Sequence, residues 1–223
     1  EAFRQLKTGR PRPVEIEIPP ETLAEMADVE LLEPGIFPRQ AASAKSIQQS
    51  ARIIAGASNP VIWAGGGAIS AEASEILLKV AQHLQAPVVT TGEGKGAISD
   101  RHYLSAGLIT GRDSEQLVDH DVVLAVGTRI ATPTALGVQQ VIQIDIDSEE
   151  IGRNYENTVG LVGDARKTLE ELYHTLVAIR PASPSRQAEL EAQKKERAKA
   201  MPKVDPQDGL TAAVRAAIPN DGI

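Results

Sequence analysis

Pro60-Val-Ile-Trp-Ala-Gly-Gly-Gly-Ala-Ile-Ser70 is the stretch of this sequence that carries the most structural information. The apolar, partly β-branched run from Val61 to Ala64 is typical of a buried parallel strand. Three glycines follow it directly, and Ser70 is of the residue type that begins helices as an N-cap. After Ser70, apolar residues recur at helical spacing as far as Leu84. The stretch therefore predicts a strand, a glycine turn and a helix in direct succession.

The glycine turn has two interpretations. Gly65, Gly66 and Gly67 expose backbone N–H groups without a Cβ atom in the way, and the start of the following helix carries a partial positive charge. Both features favour a bound phosphate group. The spacing does not match the dinucleotide fingerprint G-x-G-x-x-G, however, and a tight turn without a ligand explains the same glycines equally well.

Strands and helices alternate through most of the chain. Further buried strands are predicted at 86–91, 122–126, 140–146 and 158–162, whereas residues 97–112 are irregular and polar. Helices are predicted at 43–57 and from Asp164 onward. This alternation predicts an α/β fold: an open parallel, Rossmann-like, doubly wound sheet of five to six strands with helices on both faces. Apolar and acidic residues also alternate from Val14 to Ile18, which predicts one strand outside that sheet.

The composition argues against several classes of function. A net charge of -7 disfavours binding to nucleic acids or anionic membranes, which needs a basic surface. The sequence has no cysteine for disulfides or thiolate metal ligands, and its four histidines are dispersed without a metal-binding spacing. No apolar run is long enough to cross a bilayer. We expect a cytoplasmic protein that binds no nucleic acid, membrane or metal.

Ligands of open parallel sheets bind at the carboxyl ends of the strands, near a reversal in strand order. The sequence places residues of suitable chemistry there: Gly65, Gly66, Gly67, Thr91, Arg129, Asp145 and Asp164. Backbone N–H groups and the guanidinium of Arg129 suit phosphates, and a carboxylate such as Asp145 suits ribose hydroxyls. Each has a structural alternative, because Asp145 and Asp164 are good helix caps and Arg129 could pair with a surface carboxylate. The sequence contains neither a G-x-S-x-G motif nor a P-loop lysine pattern.

Six short motifs follow one another along the chain. They are Gly9-Arg-Pro-Arg-Pro-Val-Glu-Ile-Glu-Ile-Pro19, Asn59-Pro-Val-Ile-Trp-Ala-Gly-Gly-Gly67, Pro87-Val-Val-Thr-Thr91, Lys95-Gly-Ala-Ile98, Gly127-Thr-Arg129 and Gln143-Ile-Asp-Ile-Asp147. This ordered set resembles the central region of thiamine-diphosphate-dependent enzymes, in particular the branch that includes acetolactate synthase, pyruvate oxidase, glyoxylate carboligase and oxalyl-CoA decarboxylase. The resemblance covers essentially the whole chain.

The resemblance implies a domain organisation. Residues 1–20 would end the pyrimidine-binding domain, 21–42 would be a linker, 43–179 the central Rossmann-like domain, 180–207 a charged linker, and 208–223 the start of the diphosphate-binding domain. The parent enzyme would act on 2-oxo acids with thiamine diphosphate and Mg, as a homodimer or homotetramer. The family's catalytic glutamate and Gly-Asp-Gly motif have no counterpart in this sequence. We therefore expect this chain alone to be inactive and not to bind that cofactor.

Some members of the family bind FAD in the central domain, others bind ADP, and several bind nothing there. Carried over by position, the nucleotide would be surrounded by Gly65, Gly66, Gly67, Thr91, Arg129, Asp145, Ile146 and Asp164. The segment from Leu104 departs from the FAD-binding branch beyond Gly107, which leaves FAD, ADP and no ligand as alternatives. Two interpretations outside the family also stay open: a free-standing FAD-, NAD- or ADP-binding module of Rossmann type, and a ligand-free scaffold.

Overall fold

The computed structural model describes residues 1–33, 35–109, 117–131, 139–200 and 204–219. The chain divides into two compact units, Glu1–Ser185 and Arg186–Ile223. The described part of the first unit contains helices α1 (Ala2–Lys7), α2 (Pro20–Ala24), α3 (Ala44–Gly56), α4 (Gly66–Ser70), α5 (Ser74–Leu84) and α6 (Ala165–Ile179). Its strands are β1 (Val61–Ala64), β2 (Val88–Thr90), β3 (Ser105–Leu108), β4 (Val122–Val126), β5 (Gln140–Asp145) and β6 (Thr158–Val162). The second unit contributes α7 (Gln187–Ala200) and α8 (Gln207–Ala217).

The six strands form one sheet in the order β3-β2-β1-β4-β5-β6, and every pair is parallel. The predicted open parallel α/β sheet is therefore confirmed. Strand β1 lies at the centre, where Ile62 pairs with Val88 on one side and with Leu124 on the other. Because the chain winds outward from β1 in one direction and from β4 in the other, the strand order reverses between these two strands.

The core lies on both faces of the sheet. On one face, Trp63 is buried with Val61, Val123 and Ala125, and Leu117 and Ile130 cover them. Helix α6 contacts both α3 and α5, and the buried residues of these three helices include Ile54, Leu77 and Leu172. Strands β1 and β4 are buried along their whole length, as strands covered on both sides must be.

Three local predictions were wrong. Residues 14–18 form no strand: they are exposed and have no regular secondary structure, because a segment without a paired neighbour gains no ladder of hydrogen bonds. Ser70 does not begin the helix after the glycines but ends the short helix α4, and α5 begins at Ser74 after a turn. The segment predicted to be irregular contains the edge strand β3.

The polar composition of α7 is typical of a solvated helix, with charged residues on all sides. Among the described residues, none of the helices is both long enough and apolar enough to span a bilayer.

Candidate functional site

The residues singled out in the sequence lie at the carboxyl ends of strands in the sheet. Gly65, Gly66 and Gly67 follow β1, Thr91 follows β2, Arg129 follows β4, Asp145 and Ile146 end and follow β5, and Asp164 follows β6. The reversal in strand order lies between the turn after β1 and the turn after β4. The fold therefore brings the predicted residues to one edge, which is where ligands of such sheets bind.

The turn after β1 packs directly on the turn after β4. The N–H group of Gly65 donates to the carbonyl oxygen of Val126 at 2.9 Å, and that of Gly67 donates to Gly127 O at the same distance. A Cβ atom on Gly65 would overlap the Gly127 carbonyl oxygen and lie 2.7 Å from Thr128 Cβ. These two N–H groups are thus occupied by the protein, so close packing of two turns explains Gly65 and Gly67 without a phosphate.

The turn after β2 covers the end of β1 in a similar way. Thr91 N–H donates to Ala64 O at 2.9 Å, and the Thr91 hydroxyl accepts a hydrogen bond from Gly94 N–H at 3.1 Å. A Cβ atom on Gly94 would overlap the same Ala64 carbonyl oxygen. Thr91 therefore orders this turn through its own side chain.

Arg129 presents a cation at this edge. Its side chain is exposed, and its backbone carbonyl accepts a hydrogen bond from Asn154 Nδ2 at 2.7 Å. Across the part of the chain that the structure describes, the Arg129 guanidinium has no hydrogen-bond or ion-pair partner. Among the described residues, the alternative pairing of Arg129 with a surface carboxylate is not found.

Gln143 is a positioning residue that the sequence analysis missed. Its buried amide nitrogen donates to Thr128 O at 3.2 Å and to Glu150 O at 3.1 Å, and its amide oxygen accepts from Gly152 N–H at 3.0 Å. The amide thereby joins the turn after β4 to the turn after β5. A polar side chain in the apolar strand β5 was the signal in the sequence.

Two carboxylates at the end of β5 have opposite electrostatic environments. Asp145 is buried, and burial raises the pKa of its carboxyl group, although Oδ1 accepts a hydrogen bond from Asp147 N–H at 2.9 Å. The pKa of Asp147 is lowered, first by the hydrogen bond from Glu149 N–H at 3.1 Å and then by Arg12. This end of β5 thus holds one carboxylate that resists ionisation and one that favours it.

The N-terminal segment contributes two arginines to the same place, which the sequence analysis also missed. Arg10 contacts the buried carboxylate of Glu150 at 2.8 Å, and Arg153 contacts the same carboxylate at 3.3 Å. Arg12 contacts Asp147 Oδ2 at 2.9 Å. More than 130 positions separate the partners in the sequence, so no local pattern could have indicated these pairs.

Asp164 has a structural role. Its Oδ1 accepts a hydrogen bond from Lys167 N–H at 3.0 Å, which makes Asp164 the N-cap of α6, as predicted. Arg39 lies 3.5 Å from its other oxygen. Ile146, by contrast, is 40% exposed and offers an apolar surface beside the carboxylates of β5.

Over the described ranges, no group of three or more histidine, aspartate or glutamate side chains is placed to hold a metal ion. The end of the segment that begins at Leu104 lies outside the described residues, so the departure noted beyond Gly107 has no complete structural counterpart.

Comparisons with known proteins agree on one family. Residues 47–172 match the family described as "Thiamine pyrophosphate enzyme, central domain". The chain is similar to the probable acetolactate synthase large subunit of Methanocaldococcus jannaschii, with 34% identity over 195 residues, 80% of this chain and 33% of that protein. It is also similar to the glyoxylate carboligase of Escherichia coli O157:H7, with 32% identity over 182 residues, 76% of this chain and 31% of that protein.

A solved structure shares the fold. The structure of benzoylformate decarboxylase from Polynucleobacter necessarius superposes with a TM-score of 0.61 at 18% identity, covering 72% of this chain and 31% of that one. The chain spans about a third of the length of the curated relatives it matches. These similarities favour the thiamine-enzyme interpretation over a free-standing nucleotide-binding module.

Proposed function

Because this chain belongs to the family of thiamine pyrophosphate enzyme central domains, we propose that it is the middle domain of an enzyme that acts on 2-oxo acids. The names of the relatives, acetolactate synthase and glyoxylate carboligase, support a carboligation or decarboxylation reaction of that class. Thiamine diphosphate and Mg would be bound by other domains of the parent protein. When bound, thiamine diphosphate supplies a carbanion for attack on a carbonyl carbon.

The domain boundaries that follow from this proposal are those of the sequence analysis. Residues 1–20 and 208–223 would belong to the two cofactor-binding domains, and residues 43–179 would form the central domain between linkers at 21–42 and 180–207. The parent would be a homodimer or homotetramer. The 223-residue chain by itself is expected to consume no 2-oxo acid even with thiamine diphosphate and Mg, whereas the full-length protein is expected to do so. Activity of the isolated chain would contradict the proposal.

Within the central domain, the carboxyl edge of the sheet is the proposed site of an adenine nucleotide, ADP or FAD. The observation that carries this proposal is the position of Arg129 and Asp145 beside the reversal in strand order, with Ile146 between the carboxylates. Arg129 would contact the phosphates, the β5 carboxylates would accept the ribose hydroxyls, and Ile146 would lie against the adenine ring.

The other candidate residues fit a supporting role. The N–H groups of Gly65 and Gly67 and the hydroxyl of Thr91 already have protein partners, and Asp164 caps a helix. They would therefore form the wall of the cleft together with Gly66, while Arg129 and the residues at the end of β5 would contact the nucleotide. The alternative within the family, a cleft that binds no ligand, predicts no response to any nucleotide.

A binding experiment separates these alternatives. Thermal unfolding and calorimetric titration of the 223-residue chain with ADP, FAD and NAD would measure affinity directly. A ligand at about 100 times its Kd stabilises the folded state by roughly 2.7 kcal/mol. We expect ADP or FAD to bind wild type, Arg129→Ala to weaken that binding, and Arg52→Ala, which removes an exposed cation from α3, to leave it unchanged. No binding of either nucleotide would overturn the proposed cleft.

A further inference from the structure

The segment Arg10-Pro-Arg-Pro13 reaches the end of β5 from a distant part of the sequence. Arg10 and Arg12 are two positions apart on a segment without regular secondary structure from Pro11 onward, and a proline follows each of them. Proline restricts the backbone and removes an N–H donor, so the segment is stiff and keeps both side chains on the same partner region. The contacts are the ion pairs Arg10–Glu150 and Arg12–Asp147 and a longer one of 3.8 Å between Arg12 and the exposed carboxylate of Glu149.

Of the two aspartates Asp145 and Asp147, Arg12 occupies the more accessible one, Asp147. Asp145 is buried and one of its oxygens accepts the hydrogen bond from Asp147 N–H. Asp147 uses Oδ1 to accept from Glu149 N–H at 3.1 Å, and its Oδ2 accepts from Arg12 at 2.9 Å. Arg12 therefore holds Oδ2 of Asp147, the oxygen that a ribose in the cleft proposed above would contact.

We propose that Arg12 and the ribose of a bound nucleotide compete for the Asp147 carboxylate, so that the N-terminal segment gates the ribose end of the cleft. Ribose hydroxyls are recognised by a carboxylate that accepts their hydrogen bonds, and a guanidinium on the same oxygen blocks that contact. This inference rests on the nucleotide cleft proposed above. It adds that a bound nucleotide displaces residues 9–13 from the end of β5, and that these residues in turn weaken nucleotide binding.

Removing Arg12 is expected to change the nucleotide affinity in an unusual direction. Removing a cation near a site for an anionic ligand ordinarily weakens binding, because the favourable Coulomb interaction with the phosphates is lost. Here, removal of Arg12 frees Asp147 Oδ2 and should tighten binding. The Arg12 side chain is 66% exposed, and exposed ion pairs are weak. The expected gain in affinity is therefore modest, about two- to fivefold.

The test is calorimetric titration of ADP into the 223-residue chain at fixed ionic strength. Arg12→Gln is expected to lower the Kd by about two- to fivefold. Arg12→Lys keeps the charge and the ion pair and should bind as wild type does. The control Arg4→Gln removes one cation from the N-terminal segment and should leave the Kd unchanged or slightly raised, since Arg4 pairs with Glu1 at the surface.

A second measurement uses the reciprocity of linked equilibria. If ADP displaces Arg12 from Asp147, saturating ADP should shift the NMR resonance of the Arg12 side-chain Nε–H group toward that of a free arginine side chain and leave the resonance of Arg4 unchanged. Binding of ADP to wild type with an unchanged or raised Kd in Arg12→Gln would overturn the competition and leave the cleft standing. Absence of ADP binding in every variant would overturn the cleft, and the competition with it.

Discussion

The side-chain amide of Gln143 donates a hydrogen bond to the carbonyl oxygen of Thr128 at 3.2 Å, across the boundary between β4 and β5. The same nitrogen donates to Glu150 O at 3.1 Å. The turn that carries Arg129 is therefore held by a buried side chain of the neighbouring strand. In a buried environment each of these carbonyl groups needs a donor, so Gln143 satisfies groups that strand pairing leaves open.

Replacing Gln143 by leucine should destabilise the protein. Gln143→Leu keeps a side chain of similar size but leaves the Thr128 and Glu150 carbonyl groups without this donor, which costs about 1–3 kcal/mol for a buried polar group. Urea unfolding followed by circular dichroism would measure the loss. Gln140→Leu is the matched control. The Gln140 amide donates to Asn157 O at an exposed position and, at 3.3 Å, to the part-buried Val141 O, and its loss should cost less than that of Gln143, about 0.5 kcal/mol. Equal stability of the two variants would show that the Gln143 bridge contributes nothing.

The glycine turn makes a prediction that does not depend on any ligand. A Cβ atom at Gly65 would overlap the backbone of Gly127, so Gly65→Ala should lower the free energy of unfolding by about 1–3 kcal/mol through overpacking. Gly56→Ala, at the last residue of α3, has open space around the added Cβ and should raise stability by up to about 1 kcal/mol. Chemical denaturation of both variants checks the contrast. A fully stable Gly65→Ala would mean that the two turns separate easily.

The sheet was predictable because its central strands are apolar runs bounded by turn residues. Strand β3 was not, since Ser105-Ala-Gly-Leu108 combines residues of weak strand preference with a glycine at positive φ. Its strand conformation comes from pairing with β2. Val14–Ile18 is the opposite case, because its alternating pattern predicts a strand but the described chain offers it no neighbouring strand.

The candidate site was predictable in position but not in detail. The residue types and the strand ends placed Arg129 and Asp145 at the same edge. Sequence alone could not decide between a phosphate and a second turn as the neighbour of Gly65, because both require the absence of a Cβ atom. The contacts of Arg12 with Asp147 depend on how distant segments meet, and only the folded chain contains that information.

The two aspartates at the end of β5 should affect the pH dependence of stability with opposite sign. Burial raises the pKa of Asp145, so the wild-type protein binds more protons folded than unfolded and loses stability as pH rises above about 4. Asp145→Asn removes this loss and should be as stable as wild type at low pH and more stable at pH 7. Urea unfolding between pH 3 and pH 8 would measure both curves.

Asp147→Asn provides the comparison. In wild type the pKa of Asp147 is lowered. The ionised Asp147 therefore stabilises the folded protein at pH values above the ordinary pKa of an aspartate, and this contribution is lost as the pH falls through the lowered pKa. Asp147→Asn should therefore be less stable than wild type at pH 7 and approach it in acid. If Asp145→Asn also loses stability at pH 7, the carboxylate of Asp145 has a stabilising partner and its burial is not the dominant effect.

Arg180 closes the C-terminal end of α3 from a position more than 120 residues later in the chain. Its NH1 group donates to three carbonyl oxygens there, at 3.1 Å to Ile54, 3.3 Å to Ala55 and 3.1 Å to Ala57. Its NH2 group donates to Ser183 Oγ at 3.0 Å. The last carbonyl groups of a helix have no partner within the helix, and a cation there also interacts favourably with the helix dipole.

Arg180→Ala should therefore lower the free energy of unfolding by about 2 kcal/mol, since hydrogen bonds from a charged donor to these carbonyl groups are lost together. Arg180→Lys should recover only part of the loss, because a single ammonium group cannot reproduce the planar fork of the guanidinium. Urea unfolding of both variants, with Arg52→Ala on the exposed surface of α3 as the charge-matched control, measures the difference. Full recovery of stability in Arg180→Lys would mean that the charge alone stabilises the end of α3. If Arg52→Ala loses as much stability as Arg180→Ala, the three hydrogen bonds to carbonyl groups do not contribute.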